Sequence, residues 1–219
     1  MAWATLALLG GALRIARAED VPPVLLFMAA GFLCVLVHEL GHALAARRFG
    51  AGEIRIVLTA LGGLTLFRPA SPSRAQELWV TAAGPLASLL WGALLALLWG
   101  AFVGDAAGGL QSYVTWPLFG TLSVAELPPF PNLLHIFWLQ SLFVCLWWSL
   151  LNMLPIYPMD GGQLLALLLP RPRLVVCIGF ATAVLLSLLA VCFSQWFMAA
   201  LMAYMAYEQW KDIRNNKSY

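Results

Sequence analysis

Apolar residues fall in long blocks along this chain, with few polar interruptions. The blocks lie at 2–17, 23–46, 78–103 and 134–151, then a short one at 161–169 and a long one at 174–208. A helix needs about 20 residues to cross roughly 30 Å of hydrocarbon, so the longer blocks predict membrane spans. The last block is too long for one span, and the polar FSQW at 193–196 divides it into helices over about 174–193 and 196–210. NMLPIYPMDGG at 152–162 interrupts the segment 134–169. Each proline there removes a backbone donor and clashes with the preceding turn, so this segment predicts a broken span. The pattern gives an all-α polytopic membrane protein with about six transmembrane helices. The first block lacks a basic region before it, and Arg14 and Arg17 come after it, so it reads as a retained span.

The first polar connection has its own pattern. EIRIVL alternates polar and apolar residues, ALGG supplies a turn, and LTLF resumes with β-formers. A short membrane-associated hairpin within 51–70 is expected, with an irregular interfacial loop as the alternative. The same connection carries Arg47, Arg48, Arg55, Arg68 and Arg74, whereas 104–133 carries only Asp105 and Glu126. Arg171, Arg173, Lys211, Arg214 and Lys217 fall on the same side as the first group if 134–169 is one broken span. The positive-inside bias then places both termini and this basic face in the cytoplasm, in a cell (inner) membrane.

Composition narrows the class further. Of 219 residues, 62% are hydrophobic and only 10% charged, against about a quarter charged in soluble domains. No long basic run exists, so nucleic-acid binding has no electrostatic footprint. Cys34, Cys145, Cys177 and Cys192 lie in apolar segments without CxxC spacing and read as small buried hydrophobes. FWLQ and LWWSL suit anchoring at the lipid interface.

Candidate chemistry sits where it is expensive. His38, Glu39 and His42 form HELGH inside the second apolar block, and only three histidines exist in the chain. Residues four apart share a helix face, so both imidazoles reach one ion, while Glu39 projects to the side. A catalytic zinc takes three protein ligands and keeps one open position. It lowers the pKa of bound water toward about 7, and an adjacent carboxylate takes the proton. A pair of interfacial histidines is the bland alternative. Against it, Glu39 and Asp160 are the acids placed well within apolar segments, where an ionisable group is costly unless paired or ligated. A metzincin continuation would need Gly at 45 and His at 48, where Ala45 and Arg48 stand. Glu53 and Glu77, where a thermolysin-like ligand would fall, lie in the basic connection. Asp160 sits at a helix break, tolerated at membrane depth where it lines a cavity, and is the preferred third ligand.

HELGH at 38–42, AAGP at 82–85 and NMLPIYPMDGG at 152–162 resemble the three signatures of the site-2 protease family of intramembrane zinc metalloproteases. Met159 stands where that family carries leucine, a mild apolar exchange. The match covers a three-helix core over about 23–169, with spans 23–48, 78–103 and 134–169, inside a single transmembrane protease domain. The resemblance implies one Zn2+ held by His38, His42 and Asp160, with Glu39 as general base. It also implies that Asn152 contacts the substrate backbone, with helix capping as the structural alternative. The hairpin resembles the family's membrane-associated β element, able to pair with an unwound substrate strand. Neither a PDZ-like nor a CBS-like domain is visible, so a minimal core is expected.

The function expected is a zinc endopeptidase cleaving a transmembrane or membrane-proximal segment of a membrane protein. Its partners are then that substrate and the lipid bilayer; the sequence leaves the oligomeric state open. At 1.5 Å per residue His38 lies about 14 Å along the helix from Arg47, so the centre is sunk below the cytoplasmic face. A metal transporter with a His/His/Asp site is one rival, but it has no use for Glu39. An inactive chaperone-like relative is the other, and it would be expected to lose a ligand or the glutamate. His135 and Cys34 read as interfacial and packing residues. Gly84 and Pro85 are expected to allow close helix approach and a local kink beside the site.

Overall fold

The computed structural model of the chain describes residues 6–8, 10–59, 62–67, 73–121 and 132–215. Its elements run α1 (Val21–Arg48), β1 (Ile54–Thr59), β2 (Gly62–Phe67), α2 (Arg74–Phe102), α3 (Ala106–Phe119), α4 (Asn132–Asn152), α5 (Asp160–Leu168), α6 (Pro172–Cys192) and α7 (Trp196–Arg214). Among the described residues, four helices are long and apolar enough to cross a membrane: Ala18–Arg48, Arg74–Phe102, Leu133–Asn152 and Pro172–Cys192. The protein is an integral, multi-pass membrane protein. Of the expected first span at 2–17, residues 2–5 and 9 lie outside the described residues; the others show helix at 6–8, a 3-10 turn over Ala12–Arg14 and irregular backbone at 15–17, not one continuous helix. The expected span at 196–210 is helical as α7 but is not one of the four. Gln209, Lys211, Asp212 and Arg214 make its second half polar.

The chain divides into two compact units, one of Met1–Pro72 with Ala83–Ser149 and one of Ser73–Ala82 with Leu150–Tyr219. In the first, α1 opens on Pro22 and Pro23, where missing donors cost nothing, and ends at Phe49 with Gly50 in the left-handed region at φ 82°. The hairpin packs along α1, with β1 and β2 antiparallel and Ile56 paired to Thr65. Residues alternate in burial along β1, so Ile54, Ile56 and Leu58 face inward while Arg55 and Val57 face out. The core holds Cys34, Trp99, Tyr113, Trp138, Leu142 and Cys145, with Trp99 stacked on Trp138 at 5.0 Å. Helix α3 falls in a connection with no predicted element. It has only 14 residues, and the Asp105 carboxylate caps it by accepting from the Gly108 N–H at 2.8 Å.

In the second unit α6 and α7 pack together around Ile156, Ala183, Met202, Met205 and Ala206. Large apolar residues elsewhere stay uncovered: Leu90 is 70% exposed and Leu188 60%. On membrane-spanning helices such surface faces lipid tails and needs no protein partner.

Candidate metal centre

The helix period sets the first half of the site. His38, Glu39 and His42 are all buried on α1, with 2%, 4% and 9% of their surface exposed. One turn apart, the two imidazoles turn their Nε2 atoms toward each other at 3.2 Å. Two nitrogens each bound to one tetrahedral zinc would stand roughly 3.3 Å apart, given N–Zn distances of about 2.0–2.1 Å. The indole of Trp148 meets the His38 ring edge-on, with centroids 6.4 Å apart.

A buried hydroxyl pair stands behind His38. Its Nδ1 lies 3.4 Å from Ser88 Oγ, which lies 2.8 Å from Ser149 Oγ. Ser88 also reaches the Gly84 and Pro85 carbonyls, each at 3.2 Å, and Ser149 donates to the Cys145 carbonyl at 2.7 Å. Carbonyl oxygens only accept, so both hydroxyl protons have an outlet and Ser88 Oγ is able to accept from His38 Nδ1–H. In that tautomer the ring's lone pair lies on Nε2, the atom facing His42.

Asp160 is the first residue of α5 and is buried. Gly161 follows because a Cβ there would come within 2.1 Å of the Met153 carbonyl oxygen, closing the 153–160 turn against the helix start. Gln209 braces the same turn from α7, its side-chain N–H2 donating to the Tyr157 carbonyl at 2.7 Å. Asn152 is the last residue of α4 and is half-buried.

Among the described residues, His38, His42 and Asp160 form a buried group able to hold a metal ion, their ligand atoms within 4.8 Å of one another. Two imidazoles and one carboxylate form a three-ligand set that suits zinc and leaves a fourth position open. The rejected candidates have other places. Glu53 pairs with Arg55 on the hairpin at 2.5 Å, His135 packs beside Trp99 and Trp138, and Cys34 is a core residue. Sequence reasoning missed Ser88, Ser149 and Thr65, whose hydroxyl donates to Glu39 Oε2 at 2.6 Å. Their one signal was being isolated hydroxyls in otherwise apolar stretches.

Fold and site together define a multi-pass membrane protein with a buried His–His–Asp metal site. The profile of peptidase family M50 matches residues 26–190, and the chain belongs to that family. It is similar to the zinc metalloprotease MJ0392 of Methanocaldococcus jannaschii, 29% identical over 140 residues, which is 64% of this chain and 33% of that protein. Rip3 of Mycobacterium tuberculosis is 27% identical over 130 residues, 59% of this chain and 27% of its own length. The matched stretch thus spans about a third or less of the curated relatives. The solved site-2 protease of Methanocaldococcus jannaschii shares the fold, with a TM-score of 0.60 at 20% identity, covering 97% of this chain and 88% of that one.

Proposed function

We propose that this protein is an intramembrane zinc endopeptidase that hydrolyses a transmembrane or membrane-proximal segment of another membrane protein. The observation that carries the reading is the buried group of His38, His42 and Asp160 with Glu39 on the same helix as the two imidazoles. His38, His42 and Asp160 hold one zinc ion per chain. When bound, zinc supplies Lewis acidity and an acidified water. Glu39 takes a proton from the attacking water and passes it to the leaving amine. Ser88 holds the His38 ring by accepting from Nδ1. Asn152, at the end of α4, hydrogen-bonds the substrate backbone near the scissile bond. The outward Leu64 and Leu66 on β2 support a role for the hairpin in receiving an unwound substrate strand. The basic 47–77 connection faces the cytoplasm, as do both termini.

The test is cleavage of a membrane-protein substrate by the purified protein in proteoliposomes. Removing zinc with a chelator should abolish cleavage, and one equivalent of zinc should restore it. Cleavage that persists in metal-free protein overturns the reading, as does zinc flux without cleavage.

Loss of the Ser88 hydroxyl should weaken zinc binding by roughly ten- to a hundredfold, the range found for groups that orient a ligating histidine. Competition of Ser88→Ala with a chromophoric chelator measures this directly. Wild-type affinity in Ser88→Ala would remove Ser88 from the site.

A further inference from the structure

Strand β2 reaches the glutamate itself. Side chains alternate along a strand, so Gly63 and Thr65 share the face turned to α1, while Leu64 and Leu66 point away and are about half exposed. The Glu39 carboxylate lies against the backbone between those two inward positions. Thr65 Oγ1 donates to Glu39 Oε2 at 2.6 Å and also lies 3.2 Å from the Glu39 carbonyl oxygen. A Cβ at Gly63 would stand 2.2 Å from Glu39 Cγ and 2.3 Å from Oε1, so a glycine is required for the carboxylate to lie there. Two positions on one face of one strand are thus shaped around one side chain. Among the described residues, no other hydrogen bond reaches this carboxylate. The O–H···O contact is short and joins a group that is only 4% exposed. A glutamate has three rotatable side-chain bonds, and a general base must stand within hydrogen-bond reach of the proton it takes. Packing against Gly63 holds the Cγ–Cδ–Oε1 edge of that side chain, and the Thr65 hydroxyl holds Oε2.

We propose that Thr65 is a positioning residue for Glu39, its hydroxyl holding the carboxylate in one rotamer with Oε1 left to exchange the proton. The hairpin is thereby part of the catalytic apparatus as well as a surface beside it. This inference rests on the reading of Glu39 as general base.

The test compares Thr65→Val, which keeps the shape and removes the hydroxyl, with Thr65→Ser, which keeps the hydroxyl and removes the methyl. Glu39→Gln is the control, and zinc per chain is measured for all. Thr65→Val should lower kcat by roughly tenfold or more, part of the 10²–10⁴ a positioned general base contributes. KM and zinc content should stay at wild-type values, and Thr65→Ser should keep kcat within about threefold. A wild-type kcat in Thr65→Val overturns the proposal while leaving the protease reading intact, provided Glu39→Gln is inactive. Equal losses in the valine and serine variants, with KM raised, would assign Thr65 to hairpin packing and also overturn it. An active Glu39→Gln would instead sink the role of Glu39 itself. If Thr65→Val is unstable, a double-mutant cycle of Thr65→Ser and Thr65→Ala with Glu39→Ala on thermal unfolding of the zinc-free protein decides. Coupling between the hydroxyl and the carboxylate supports the bond, and zero coupling removes it.

Discussion

Replacing Glu39 by glutamine should abolish peptide hydrolysis while leaving zinc bound at one equivalent per chain. The two side chains have nearly the same shape, so the glutamine can fill the space beside Gly63, and its side-chain carbonyl can accept from Thr65 as Oε2 does. The amide cannot take up a proton at neutral pH, so only the transfer step is removed. General-base contributions of 10²–10⁴ set the expected fall in kcat at about a hundredfold or more. His38, His42 and Asp160 are untouched, so metal analysis should give the wild-type content. Glu39→Ala is a poorer probe, because it leaves a void against β2 and Thr65 with only the backbone carbonyl of residue 39 as its acceptor. Cleavage by Glu39→Gln at the wild-type rate would mean that another group moves the proton.

The site was legible where the sequence broke its own rule. In an apolar helix His38, Glu39 and His42 stand out because burying them is costly, and Asp160 stands out at a break framed by Pro155, Pro158 and Gly161. The hairpin was legible because strand period and turn chemistry coincide over 54–67, and β1 pairs with β2 there. Groups that support the site were not legible, because their meaning comes from partners distant in sequence. Thr65 lies 26 residues from Glu39, and Ser88 and Ser149 lie 61 apart. In isolation each is an ordinary hydroxyl, as acceptable to a helix or strand as its neighbours. Helix α3 was missed for a different reason. Gly108, Gly109 and Pro117 weaken its local preference, and its place comes from Asp105 capping and from packing of Tyr113 into the core.

The largest structural effect should follow from a single methyl group, in Gly84→Ala. On α2 this glycine is one turn before Ser88, and the alanine Cβ would stand 2.2 Å from His42 Nε2 and 2.4 Å from Cε1. The crossing of α1 and α2 cannot widen freely to make room. At Gly41, the neighbouring contact on α1, a Cβ would already come 2.4 Å from the Ala83 carbonyl oxygen. Small residues on both helices therefore bring the backbones together, and the His42 ring occupies the remaining space. With the added methyl the ring must turn away, carrying Nε2 from its position 3.2 Å from that of His38. Zinc affinity should fall by about a hundredfold or more, the upper end for changes outside the ligands themselves. Helix propensity works in the opposite direction, since alanine exceeds glycine by about 0.8–1.0 kcal/mol in a helix interior. The zinc-free variant should therefore keep its helical content and its thermal unfolding temperature while failing to bind metal. Chelator competition together with circular dichroism separates the two effects. Wild-type zinc affinity in Gly84→Ala would show that His42 does not need this position to hold the metal.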